Sequence, residues 1–321
     1  MKTFYCKPLQ ANLTVVSMGT ADFGNQMQDE QGFALLDTYV GLGGNLIDTA
    51  HMYADWEPGV KSSSERQIGR WLQKRGGRQN VYIASKGGHP DMSAMHISRL
   101  SPEDLAQDLD EGLLYTGLDY FDMYYLHRDD TNLPVSQIMD CMNEQITRGK
   151  IRALGCSNWR SARIAEANAY AESKGLQGFT ASQIMFSAAA PNDVPGADPT
   201  LVRMDKAEFD FYEKAGMLLT SFTSQAKGYL TKRAAGAAVS DGVRAHYDSE
   251  RNDSILKIVQ EIAAAHRVSV TTVSLAYIWS QAFDAIPILG CHTSAHIADC
   301  MQNCDFTLTA DEVAAVNAVR F

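Results

Sequence analysis

The sequence predicts a single (β/α)8 TIM barrel over residues 1–321, with a short N-terminal hairpin and a C-terminal helix. Three observations carry this. Short β-rich runs alternate with longer stretches of helical periodicity eight times in one unbroken series. No linker-like stretch divides the chain. Asp48, Lys86 and His127 stand at the ends of successive strand-like runs, where a barrel of this kind gathers its chemistry.

Thr14 to Met18 is β-rich and stops at Gly19, which makes it the first strand. Phe33, Leu36, Tyr39 and Val40 recur at helical spacing until Gly41 to Gly44 end that helix. Leu46 to Asp48 is the second strand. Ser62-Ser63-Ser64-Glu65 has the spacing of a capping box and opens a helix through Trp71 and Leu72. Val81 to Ala84 is the third strand, ending at Ser85-Lys86. Ser101-Pro102-Glu103-Asp104 starts a helix with Leu105, Leu109 and Leu113 along one stripe. Phe121 to Leu126 is the fourth strand, and His127 follows it. A helix over 135–148 leads to the strand Ala153 to Ser157, and one over 161–172 leads to Phe179 to Gln183. Asp205 to Lys214 reads as helix and Met217 to Phe222 as the seventh strand. Helices over 254–266 and 271–280 precede the eighth strand, Ala285 to Leu289, and Thr309-Ala310-Asp311-Glu312 caps the last helix. The residues before Thr14 fall outside this series and are expected to form a hairpin closing the barrel's bottom. Ala234 to Glu250, polar and glycine-bearing, is expected to be a mobile loop over the top face.

Composition narrows the function classes. Hydrophobic residues make up 45% of the chain and charged residues 21%, which fits a protein with a real core. A formal net charge of −10 argues against a nucleic acid or an anionic membrane as partner. Six cysteines are too sparse for a disulfide framework. The start, Met1 to Lys7, lacks the apolar core of a signal peptide, and no run reaches the ~18 apolar residues of a membrane span. A cytoplasmic location is the expectation; the oligomeric state is left open.

Asp48, Lys86 and His127 end strands two, three and four, and Tyr53 lies in the loop after strand two. A free tyrosine titrates near ~10, too high for an effective acid at neutral pH. An adjacent ammonium is expected to lower that value, a carboxylate to hold the ammonium, and a histidine to orient a carbonyl oxygen. Together they would make Tyr53 a general acid that protonates an alkoxide, which is half of a carbonyl reduction. The other half, a hydride, has no side-chain source and needs a nicotinamide.

These residues bring out a resemblance. Asp48-Thr49-Ala50-x-x-Tyr53, Ser64-Glu65 with Ile68-Gly69, Ser85-Lys86, Tyr125-Leu126-His127 and Gly149-Lys150-Ile151-Arg152-x-x-Gly155-x-Ser157-Asn158 resemble the aldo-keto reductase family, from about Val15 to Asp299. The resemblance implies catalytic roles for Asp48, Tyr53, Lys86 and His127. It implies that Ser157, Asn158 and Gln183 hold a nicotinamide carboxamide, with Phe222 on the ring and Thr20 also at the cofactor. Thr223-Ser224-Gln225-Ala226-Lys227-Gly228 corresponds to the loop over the pyrophosphate, without the family's usual proline.

The largest departure follows strand eight. Where the family usually places Lys or Arg against the 2′-phosphate, this chain has Gly290-Cys291-His292-Thr293-Ser294-Ala295-His296. Gly290, His292, Ser294 and His296 are therefore the candidate readers of the ribose end. The family favours NADP(H), and these residues keep NAD(H) as the alternative. Trp56, Asp129 and Trp159 are candidates for the substrate, a small-molecule carbonyl or alcohol, with a sugar-like molecule suggested by the polar rim. His292, His296, Cys300 and Cys304 fall at intervals of four, but one face of a helix accounts for them and no metal is expected. Two other classes remain as alternatives: a redox-silent binding subunit on the same barrel, and a metal-dependent barrel hydrolase.

Overall fold

The computed structural model describes residues 1–56 and 59–321. It opens with β1 (Thr3–Cys6) and β2 (Ala11–Thr14), an antiparallel pair with Thr3 opposite Thr14 and Cys6 opposite Ala11. Eight parallel strands then close a barrel: β3 (Ser17–Gly19), β4 (Leu46–Asp48), β5 (Tyr82–Gly87), β6 (Phe121–Leu126), β7 (Ile151–Ser157), β8 (Ala181–Met185), β9 (Leu218–Phe222) and β10 (Ala285–Leu289). Chain order is barrel order, and β10 returns to β3 with Ile288 opposite Ser17. The helices after β3 to β8 are α1 (Asp29–Gly41), α2 (Ser63–Arg75), α3 (Pro102–Thr116), α4 (Val135–Thr147), α5 (Ser161–Lys174) and α6 (Lys206–Ala215). After β9 come α7 (Tyr229–Ala234), α8 (Asp241–Tyr247), α9 (Glu250–His266) and α10 (Val270–Trp279). After β10 come α11 (Ser294–Met301) and α12 (Ala310–Arg320). Among the described residues no helix is long and apolar enough to cross a membrane.

Two apolar layers hold the barrel. The hairpin closes its bottom, with Cys6, Leu9, Ala11 and Leu13 packed on the inward-facing Leu46, Met123, Tyr125 and Ile286. Outside, Leu36, Ile68, Leu109, Ile138, Ile164 and Val259 fill the space between strands and helices. Each such fully buried side chain stabilises the fold by about 1.5–3 kcal/mol. Gly155 on β7 has a packing reason: an added Cβ would lie 2.5 Å from the Tyr125 ring that fills the interior.

Several helix starts match the sequence signals. Ser101 accepts at Oγ from the Asp104 amide at 3.1 Å, and Thr309 with Glu312 forms a full capping box. The box read at Ser62 to Glu65 does not form. The helix begins where expected, but Ser62 adopts a left-handed φ of 53° and makes no side-chain cap. Glu65 turns inward instead, accepting from Ser85 Oγ at 2.6 Å and lying 3.1 Å from His51 Nδ1. Thr14 belongs to the hairpin and not to the first barrel strand. The stretch 234–250, expected to be a mobile loop, contains α8, sealed by the buried Val243 and Tyr247 at four-residue spacing. Asn192 Nδ2 donates to the carbonyls of Ala245 and Asp248, fixing that helix to the loop after β8. Val243 and Tyr247, the two buried residues of a seven-residue helix, are too faint a stripe to read.

Candidate active site

The barrel register brings the four expected residues together at the carboxyl ends of β4, β5 and β6. Lys86 Nζ donates to Asp48 Oδ1 at 2.7 Å, to Tyr53 Oη at 2.8 Å and to the Thr49 carbonyl at 2.7 Å. The Tyr53 hydroxyl also faces Asp48 Oδ1 at 3.3 Å. Lys86 is fully buried and Asp48 2% exposed, while Tyr53 keeps part of its ring open to the barrel mouth. The loop that carries Tyr53 is pinned to β5 by the Thr49 amide on the Ala84 carbonyl and the His51 amide on the Lys86 carbonyl. The His127 ring stands edge-on to Tyr53, with centroids 5.8 Å apart, and to His89 at 4.8 Å.

The electrostatics depart from the sequence expectation at one point. The Tyr53 phenol lies well above its ordinary value, through burial first and the Asp48 carboxylate second. The ammonium does not win at rest because burial opposes the phenolate and Asp48 reaches the same hydroxyl. Burial also pulls Lys86 down, opposed by Asp48. His127 is held well below its usual range by burial, then by His89 and the charges of Arg128 and Lys86. His89 is lowered to about 4 by burial and by Arg128. The site therefore presents a protonated phenol beside a neutral imidazole.

The expected cofactor residues divide into two groups. Gln183 donates at Nε2 to Asp48 Oδ2 at 2.8 Å and to Thr220 Oγ1 at 3.2 Å, and its Oε1 takes no protein donor among the described residues. Asn158 donates to Ser157 Oγ at 3.1 Å and accepts from the Val202 amide at 3.1 Å, with a left-handed φ of 59°. Phe222 ends β9 half-buried. Thr223, Ala226, Lys227 and Gly228 all have positive φ, and the loop closes on itself, the Ala226 and Gly228 amides donating to the carbonyls of Thr223 and Gln225 at 2.8 Å each. The Lys227 ammonium is exposed and has no acidic partner among the described residues. Three residues are placed otherwise than expected. Thr20 is fully buried, donating at Oγ1 to the Asp48 carbonyl at 2.9 Å, so it supports β4 and does not face the cleft. Ser224 is buried and donates to the Ile288 carbonyl at 2.6 Å. Gln225 donates to Cys300 Sγ at 3.2 Å.

At the strand-eight end, Gly290, His292, Ser294 and His296 are exposed, as a ribose reader needs to be. His292 Nε2 lies 3.0 Å from Asp22 Oδ2, and Ser294 Oγ lies 2.9 Å from Thr38 Oγ1. The substrate candidates fare unequally. Trp56 is 40% exposed and edge-on to Tyr53. Trp159 has no exposure: it donates to the Arg128 carbonyl at 3.0 Å and packs on Phe179, so it is core. Asp129 faces Arg163 at 3.5 Å. A cavity of about 350 Å3 is lined by Met52, Lys86, His89 and Met92 among others, and meets the four residues at Lys86 alone. A larger one, about 720 Å3, lies between α2 and α3 and touches none of the four residues. Among the described residues no group of three or more His, Cys, Asp or Glu converges as metal ligands. The sequence reading missed His89, Thr220 and Asp22; His89 and Asp22 lie just past β5 and β3, which could have marked them, whereas Thr220 sits at the middle of β9.

The sequence matches the Aldo/keto reductase family over residues 15–320. An aldo-keto reductase, ausK, of Aspergillus calidoustus is 28% identical, covering 97% of this chain and 78% of that protein. An aryl-alcohol dehydrogenase of Pestalotiopsis microspora is 26% identical, covering 93% of this chain and 77% of that protein. The solved structure of a thermostable aldo-keto reductase bound to the inhibitor epalrestat superposes with a TM-score of 0.72 at 20% identity, covering 99% of this chain and 100% of the other. With the tetrad, the barrel and this match together, the chain belongs to the aldo/keto reductase family and is an NAD(P)-dependent oxidoreductase acting on carbonyls.

Proposed function

We propose that the protein interconverts an aldehyde or ketone and its alcohol, with Tyr53 as the proton donor. The observation that carries this is Lys86 Nζ, held 2.8 Å from Tyr53 Oη and 2.7 Å from Asp48 Oδ1. A bound nicotinamide supplies the hydride. Tyr53 holds its proton at rest, since burial and Asp48 keep the phenol neutral. As the proton moves to the substrate oxygen, negative charge grows on Oη with the ammonium already in contact. The ammonium thus acts on the developing charge, where it counts for rate. His127, neutral, orients the carbonyl oxygen without competing for the proton. Asp48 keeps Lys86 in place.

For the cofactor, Gln183 Oε1, Ser157 and Asn158 would meet the carboxamide, Phe222 the ring, and Thr223 to Gly228 with Lys227 the diphosphate. NADP(H) is favoured by family membership, but the absence of Lys or Arg from 290–296 makes that preference modest and leaves NAD(H) close behind. For the substrate, the sugar-like reading rested on Asp129 and Asp130 with Trp56, and it is weakened at Asp129, which is engaged by Arg163. The exposed Trp56 edge-on to Tyr53, and a relative described as an aryl-alcohol dehydrogenase, favour an aromatic aldehyde or ketone. The test is NADPH and NADH oxidation against aryl aldehydes, ketoses and dicarbonyls. Turnover of aryl aldehydes above the ketoses is expected; no turnover of any carbonyl would overturn the reading.

A further inference from the structure

Two cysteines meet where no catalytic step calls for them. Cys291 lies two residues past β10, and Cys300 lies in the last turn of α11. Their sulfurs are 3.9 Å apart, both residues are about 95% buried, and Gln225 donates to Cys300 Sγ at 3.2 Å. We propose that Cys291 and Cys300 are an oxidative modification site, a dithiol that closes to a disulfide under peroxide and thereby resets the cofactor end of the barrel.

The chemistry is local. The Cys291 thiol hydrogen-bonds to Cys300, and this contact, aided by the Gln225 amide, holds the Cys300 thiol below its ordinary value against burial. The same contact and burial raise Cys291. Gln225 Nε2, donating to Cys300 Sγ at 3.2 Å, favours negative charge on that sulfur, which makes Cys300 the nucleophile and Cys291 the resolving thiol. The Cys300 sulfur attacks one peroxide oxygen; an S–O bond forms, the O–O bond breaks, and the departing hydroxide takes up a proton as water. The Cys291 sulfur attacks the resulting sulfenic sulfur; the S–S bond forms, the S–O bond breaks, and hydroxide leaves as water with the Cys291 proton. Two thiols lose two electrons and one hydrogen peroxide becomes two waters. The segment above the pair, His292 to His296, is exposed, so a molecule as small as hydrogen peroxide has a short path.

The placement gives the bond a consequence. Closing the sulfurs from 3.9 Å to about 2.05 Å draws the end of α11 toward the β10 loop. Cys304 lies one turn further on, its thiol directed to the Cys300 carbonyl at 3.7 Å, and is the alternative partner. Oxidation also turns the sulfur that Gln225 donates to into a disulfide sulfur, a poorer acceptor. Gln225 sits in the Thr223–Gly228 loop and His292 to His296 flank the bond, so both segments given to the cofactor above shift together. This part rests on the proposed cofactor reading; formation of the bond does not.

The test uses the full chain, treated with hydrogen peroxide, with free thiols then alkylated and peptides read by mass spectrometry. A Cys291–Cys300 linked peptide is expected, absent in Cys291→Ser and Cys300→Ser and retained in Cys304→Ser. The oxidised protein should bind NADPH and NADH on the order of fivefold or more weakly by fluorescence titration, reversed by dithiothreitol. Both cysteines free after oxidant, a Cys300–Cys304 link, or a Cys291–Cys300 link with unchanged cofactor affinity would each overturn the proposal. A reduced protein that forms the link yet reduces no carbonyl would instead strike the functional reading.

Discussion

Gln183 Nε2 lies 2.8 Å from Asp48 Oδ2, so the carboxylate that holds Lys86 from one oxygen is itself held from the other, across the barrel from β8 to β4. The chain of contacts continues through Thr220, 3.2 Å from Gln183, to the Tyr125 hydroxyl at 3.2 Å. Gln183→Leu leaves a buried carboxylate oxygen without its donor, and a hydrogen bond to a charged group contributes about 1.5–3 kcal/mol. Urea unfolding should show a loss of that size. An unchanged midpoint would mean that Asp48 Oδ2 needs no donor.

Lys86→Met removes the ammonium on which the developing phenolate depends. Reduction should slow, and the alkaline rise of alcohol oxidation, which requires the Tyr53 proton to leave, should move to higher pH. The pH–rate profiles of both directions measure this. A variant with the wild-type profile would separate Lys86 from the proton step.

The two histidines of the site contribute to the acid limb of stability. His89 falls from 6.5 to about 4 on folding, so its contribution is full above pH 6.5 and is lost as the pH drops toward 4. That interval corresponds to about 3 kcal/mol at 1.36 kcal/mol per pH unit. His127 is lowered as well and adds in the same direction. Unfolding midpoints at pH 7 and pH 4.5 should differ less in His89→Gln than in the wild type. Equal slopes would place the acid sensitivity elsewhere.

Cofactor choice should answer to Asp22, whose carboxylate sits 3.0 Å from His292 Nε2 at the expected ribose end. A carboxylate there opposes a 2′-phosphate and occupies the histidine. Asp22→Asn should tighten NADPH roughly tenfold, a difference of about 1.4 kcal/mol, and change NADH far less. Paired dissociation constants decide it; an equal effect on both cofactors would mean that the phosphate is read elsewhere.

Most of the barrel was legible because its signals are local. Leu46-Ile47 and Met123 to Leu126 are apolar runs cut off by Asp48 and His127, and strand ends fix where those residues go. The tetrad could be read for the same reason. What sequence hid was competition between partners. Glu65 has capping-box spacing, but Ser85 and His51 claim it inside the barrel. Trp159 and Thr20 stand at the right strand ends yet point into the wall, because Arg128 and Asp48 offer carbonyls there. The Tyr53 phenol is raised by burial and then by Asp48, which reaches it as well as Lys86, and no spacing encodes either.

The central claim is that the Tyr53 hydroxyl delivers the proton. Tyr53→Phe removes that hydroxyl and leaves the ring beside Trp56 and His127. Steady-state reduction of an aryl aldehyde by this variant, with cofactor affinity titrated alongside, tests it most directly. The account predicts a kcat roughly 10²–10⁴-fold lower with the cofactor dissociation constant nearly unchanged. Near-normal turnover would contradict it.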